Sequence, residues 1–151
     1  MNLDALDRAI LAVVQSDGRL SNAEIAGRIG LSAPACWKRL KRLEGGVIAG
    51  YHARLDHRAL GLNLFAFVSV MLDDHSRLAM EQFEAAVIDL PDVVACHNMA
   101  GRYDYLLQIV VADMDSFHDV VMGRIRAIGH VKEINTGFSI REIKRSTNLP
   151  L

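Results

Sequence analysis

Residues 21–44 constrain this chain most, because a capped short helix, a glycine and a basic helix follow one another there with no spare residue. Ser21-Asn-Ala-Glu24 is a capping box, in which the Ser21 hydroxyl accepts the Glu24 N–H and the Glu24 carboxylate reaches back to the N-cap. It opens a helix with Ile25 and Ile29 inward, and Gly30 closes it, since a turn needing positive φ is cheapest for glycine. Ser32 then stands as an N-cap for the next helix, with Pro34 in the first turn, where a missing N–H costs nothing. In that helix Cys36, Leu40 and Leu43 share one face, while Lys38, Arg39, Lys41 and Arg42 crowd the rest beside Trp37.

Before this stretch, Leu3, Leu6, Ile10, Val13 and Val14 recur at helical spacing and predict a helix over 4–16, ended by Asp17-Gly18. After it, Gly45-Gly46 stops the helix and Val47 to Leu55 reads as an extended run interrupted at Gly50, the shape of a wing. Helix, short helix, tight turn, basic helix and hairpin is the order of a winged helix-turn-helix. A helix after such a turn fits a major groove about 12 Å wide. Four charges alone would merely solvate a helix face, but the capped helix and glycine turn in front of them favour contact with double-stranded DNA. The residues expected at that contact are Ser21, then Ser32, Ala33, Pro34, Ala35, Trp37 and Lys38 for base edges, with Arg39, Lys41 and Arg42 on phosphates. Trp37 has two readings, against DNA or packed on the first helix.

From Leu62 the period changes. Leu62 to Leu72 is a strand, and Arg77 to Leu90 a helix stopped by Pro91. Val93 to Met99 and Tyr105 to Ala112 are strands about the turn Gly101-Arg-Tyr-Asp104. Asp115 or Ser116 caps a helix through Ile128, and Val131 to Lys144 is extended. Strand, helix, two strands, helix and strand is the ferredoxin-like βαββαβ order. The expected class is α+β: a winged helix-turn-helix over 1–60 and a βαββαβ sandwich over 61–151. Apolar residues on both sides of 64–72 and 106–111 imply that both sheet faces are covered, most simply in a homodimer joined sheet to sheet.

The net charge of −1 hides an asymmetry that fits this division. Residues 1–60 hold nine Lys/Arg against six Asp/Glu, and residues 61–151 hold eight against twelve. No apolar run approaches the ~18 residues of a membrane span, and Asp4 and Asp7 stand where a signal peptide would be uncharged, so a cytoplasmic protein without membrane contact is expected. Two distant cysteines and six scattered histidines offer neither a disulfide framework nor a metal spacing. No cofactor is expected, nor an enzyme: no nucleophile set, phosphate-cradling loop or carboxylate pair stands out.

End to end, the chain resembles the Lrp/AsnC, or feast/famine, family of regulators. The resemblance lies in Leu6-Asp-Arg-Ala-Ile10, Gly18-Arg-Leu-Ser-Asn22, Ile29-Gly-Leu-Ser32, Cys36, Arg39-Leu-Lys-Arg-Leu-Glu44, Val47-Ile-Ala-Gly-Tyr51, Cys96-His97 and Gly101-Arg-Tyr-Asp-Tyr-Leu-Leu107. It implies a one-component transcriptional regulator, dimers assembling into octamers or similar rings, and an amino acid or related small molecule as effector. It also implies that Gly101, Arg102, Tyr103 and Asp104 of the turn, with Thr136 of the last strand, hold that effector. Backbone N–H groups of such a turn suit a carboxylate, and Asp104 suits an ammonium. The chain departs from the family pattern in a wing one residue shorter at Gly45-Gly46, in Arg102 where an acidic or small polar residue is common, and in Ile134 where threonine is frequent. Another reading is a siroheme decarboxylase-like enzyme of the same fold, through His97-Asn98 and Arg102; a third is an architectural DNA-binding protein without effector.

Overall fold

The computed structural model describes residues 2–144 and 148–151. The chain divides into two compact units, one formed by residues 1–54 together with 144–151, the other by Leu55–Ile143.

The first unit is three helices around a small core. Helix α1 (Ala5–Ser16) starts at a capping box of its own: Asp4 accepts the Asp7 N–H at 2.9 Å, and Asp7 accepts the Asp4 N–H at 3.1 Å. Helix α2 (Asn22–Ile29) starts at the expected Ser21–Glu24 box and ends at Gly30, whose φ of 71° is the left-handed conformation the sequence predicts. Helix α3 (Ala33–Glu44) has Ser32 at its N-cap, but the Ser32 side chain makes no capping hydrogen bond. Ile10, Leu11, Val14, Ile25, Ala26, Cys36 and Leu43 close the core between them.

The wing is a correction. No strand forms among the described residues between α3 and Leu64. The Val47 and Ile48 N–H groups both donate to the Leu43 carbonyl, at 2.7 and 2.9 Å, so the first arm of the hairpin is spent on ending the helix. The second arm is held elsewhere: the Tyr51 hydroxyl donates to Glu44 Oε1 at 3.2 Å. Its ring also lies against Gly18, where a Cβ would come within 3.0 Å of it. The fold is a helix-turn-helix followed by an irregular extended segment.

In the second unit, β1 (Leu64–Leu72), β2 (Val93–Asn98), β3 (Tyr105–Val111) and β4 (Val131–Phe138) form one antiparallel sheet in the order β2-β3-β1-β4. Helix α4 (Arg77–Ile88) is capped by Ser76, which accepts the Ala79 N–H. Helix α5 (Met114–His118) is capped by Asp113, not by Asp115 or Ser116; the Ser116 N–H is the donor. It widens into π-helical turns over Asp119–Ile125, where the Arg126 N–H reaches the Val121 carbonyl five residues back. Ala66, Val68, Val70 and Leu72 of β1 point to the helices and bury with Phe83, Val87, Val120 and Ile125. Phe65 and Phe67 lie on the other face, their rings 5.3 Å apart, and Phe67 stays 40% exposed. Strand β4 ends at Phe138 instead of running to Lys144.

Candidate functional site

Two regions gather the residues that the sequence singles out. In the first unit they lie on α3 and the turn before it. Ser21, Ser32, Ala33, Pro34, Ala35, Trp37 and Lys38 are all exposed, Trp37 at 56%. Asn22 secures the turn from below, its Nδ2 donating to the Ala33 carbonyl at 2.8 Å. With the Ser32 hydroxyl free of capping duty, the start of α3 offers a small polar group among short side chains that permit close approach.

The basic residues divide. Arg39 Nη1 bridges Asp4 Oδ2 at 2.7 Å and Asp7 Oδ1 at 2.8 Å, and Arg42 Nη2 donates to both Asp7 oxygens at 2.6 Å. Asp7 is 1% exposed and is the one buried charged residue among those described. Burial pushes its carboxyl upward, but the Asp4 N–H and the two guanidiniums outweigh it and hold the pKa below the ordinary value. The neighbouring Asp4 is lowered by the Asp7 N–H and by Arg39. Arg39 and Arg42, expected on phosphates, are engaged within the chain: a buried carboxylate needs paired donors, and these two guanidiniums supply them, fastening α3 to the start of α1. Lys41 pairs with Glu44 at 2.9 Å with 59% of its own side chain exposed, and holds the Glu44 carboxyl below its usual range. No ion pair engages Lys38 among the described residues.

In the second unit, the Gly101–Asp104 turn sits at the end of β1 and β3. The Asp104 N–H donates to the Val70 carbonyl and its own carbonyl accepts from the Met99 N–H, which pins the turn to β1 and to the residue that follows β2. Asp104 Oδ2 accepts the Leu72 N–H at 2.7 Å, and Oδ1 lies 3.0 Å from His75 Nε2. Tyr103 donates its hydroxyl to Glu133 Oε1 at 2.8 Å, and the Arg102 guanidinium, 5.2 Å from the Tyr103 ring centre, reaches the same oxygen at 3.1 Å. That carboxylate, with the burial of the phenol, raises the Tyr103 pKa. No partner takes the N–H groups of Gly101, Arg102 or Tyr103 among the described residues. A cation, a carboxylate, a phenol and open backbone donors thus meet at one edge.

Thr136 does not join them. It pairs with Val68 and shares the helix-packed face, as do Ile134, opposite Val70 in the core, and Phe138, whose ring is 4.9 Å from that of Phe117. Glu133, at odd parity on β4 opposite Met71, takes the place by the turn. Glu133 and His75 escaped sequence reasoning because only the register of β4 and the return of the chain after β1 bring them to the turn. Asp4 and Asp7 carried a readable signal, two acidic residues three apart at a helix start. His97 and Asn98 lie on β2, paired with Leu106 and Tyr105, while Arg102 is taken up by Glu133 and Tyr103.

Both regions fall within segments that match known family domains. Residues 3–44 match the AsnC-type helix-turn-helix domain and residues 65–149 the Lrp/AsnC ligand binding domain. The chain is 37% identical over 150 residues, 99% of each protein, to the DNA-binding transcriptional activator DecR of Escherichia coli (strain K12). It is 40% identical to the leucine-responsive regulatory protein of Rhizobium meliloti (strain 1021), covering 95% of this chain and 93% of that one. A Neisseria meningitidis transcriptional regulator solved in complex with L-Met superposes with a TM-score of 0.95 at 37% identity, covering 99% of this chain and 97% of that one. An exposed α3 behind a glycine turn, the antiparallel four-stranded sheet and full-length identity to named regulators agree, and the chain belongs to the Lrp/AsnC family.

Proposed function

We propose that this chain is a sequence-specific DNA-binding transcriptional regulator whose second unit senses an amino acid or a related small molecule. The observation that carries the reading is the exposed start of α3, where Ser32, Ala33, Pro34, Ala35, Trp37 and Lys38 face solvent behind the Gly30 turn while Cys36 packs into the core. Base edges are read by Ser32, Ala33, Pro34, Ala35, Trp37 and Lys38. Phosphate charge is met by Lys41, with Ser21 at the start of α2. Arg39 and Arg42 hold α3 in its pose.

The effector site is the Gly101–Asp104 turn with Glu133. Open N–H groups and Arg102 suit a carboxylate, and Glu133 suits an ammonium. The Neisseria relative bound to L-Met makes L-methionine the first compound to try. The apolar helix-free face, with Phe65, Phe67, Leu106 and Val110, is the surface on which two copies join, and dimers assemble further into rings of the octamer kind. Such a regulator works in the cytoplasm and performs no enzymatic step; its relatives are named as regulators.

A mobility shift on the DNA upstream of its own gene, at low salt and repeated with a panel of amino acids, tests this. A retarded band altered by one of the amino acids is expected, and no band at low salt would sink the reading.

A further inference from the structure

Residues 144–151 belong to the first unit, although they follow β4 of the second. Their hold on it is specific. Gln15 Nε2, on the last turn of α1, donates to the Leu149 carbonyl at 3.0 Å, and the Leu149 N–H donates to Gln15 Oε1, also at 3.0 Å. The two residues are 134 positions apart in sequence.

The chemistry of both partners suits this pairing. A glutamine carboxamide carries one acceptor and one donor group side by side, as a peptide unit does. A residue in extended backbone presents its own N–H and C=O to the same side, as in a hydrogen-bonded pair of an antiparallel ladder. Leu149 precedes Pro150, and a residue before proline is pushed into extended conformation. The Leu149 side chain is 71% exposed, which excludes apolar burial as the reason for the contact. The backbone itself is what Gln15 reads.

We infer that Asn148–Leu151 is a strap docked on α1 through the Gln15 carboxamide, so that the helix-turn-helix unit is joined to the sheet unit by two chain crossings. One crossing is at 54/55 and the other at 143/144. Strand β4, which holds Glu133 at one end, thereby gains a second connection to α1, closed by two hydrogen bonds.

Amide hydrogen exchange of the full chain, read at residue resolution, tests the strap. In the unaltered protein Leu149 exchanges about tenfold more slowly than in an unfolded peptide, the order set by a net-favourable neutral hydrogen bond. In Gln15→Leu, which keeps a good helix former and removes both bonding groups, that protection is lost while α1 stays protected. Gln15→Glu keeps the acceptor for the Leu149 N–H and retains protection. Exchange of Leu149 at the unfolded rate in the unaltered chain, or equal protection in Gln15→Leu, overturns the proposal.

Discussion

Asp7→Asn isolates the contact that fixes α3. The substitution keeps the size of the side chain and removes the charge that Arg39 and Arg42 share. Breaking one partner out of a fully buried ion pair costs about 3–5 kcal/mol, because a charge is left without compensation. Here Asp7 is 1% exposed, but the Arg39 and Arg42 side chains are 28% and 48% exposed, so water recovers part of the loss. A cost of about 2–3 kcal/mol follows once that screening is allowed for. For a unit of this size each kcal/mol moves the melting midpoint by about 4–8 °C, so the first unit melts roughly 10–20 °C lower. The assay is thermal unfolding of the full chain, followed through hydrogen exchange of α1 and α3 amides. The pH dependence has a defined sign. Asp7 has a folded pKa below the unfolded value of about 3.9. Its contribution is therefore present above that unfolded value and lost as pH falls through the folded one. The gap between the unaltered chain and Asp7→Asn should stay constant from neutral pH to about pH 5 and narrow below 4. A loss under about 0.5 kcal/mol, the scatter of ordinary surface substitutions, would refute the argument that Asp7 anchors α3.

Four further outcomes follow from the same geometry. Lys41→Ala should reduce the slope of log affinity for DNA against log salt by about one, since it removes a phosphate contact, whereas Arg39→Ala should lower stability and leave the slope unchanged. Gly30→Ala should destabilise the first unit by about 1 kcal/mol in denaturant titration through its positive φ alone, because no atom lies within 4 Å of the added methyl. Glu133→Gln and Arg102→Ala should each weaken binding of L-methionine by calorimetry, and Thr136→Val, on the helix-packed face, should not. Burial, with the Glu84 carboxylate next, pushes the Tyr105 phenol up to about 12, so stability tied to its neutral form holds below pH 10 and falls as pH rises toward 12; an ultraviolet titration should show its ionisation last among the tyrosines.

Most of the fold is written locally. The Ser21–Glu24 box, Gly30 and the apolar spacing of α1 to α3 each name their element within a few residues, and the alternation of β1 and β3 places both faces of the sheet. The wing was misread because Val47 to Leu55 has a strand's composition, yet its first N–H groups are claimed by the α3 carboxyl end and Tyr51 by Gly18 and Glu44. Strand content in a segment does not supply a pairing partner. Site residues fared by the same rule. Exposure along α3 follows from helical periodicity, but the engagement of Arg39 and Arg42 depends on acidic residues 32 to 35 positions away, which no local pattern couples to them. Around the Gly101–Asp104 turn the distant partner, Glu133, is set by the parity of β4, and parity also takes Thr136 away.

Reading of sequence by α3 shows itself in the ratio of two affinities. Binding to the DNA upstream of its own gene and to a scrambled duplex of equal length should be measured at about 0.15 M salt, where phosphate attraction is common to both. A ratio of about 10³ or more is expected, carried by Ser32, Ala33, Pro34, Ala35, Trp37 and Lys38 and reduced by Trp37→Ala or Lys38→Ala. Equal affinity for the two duplexes, with the protein folded and binding, would contradict it.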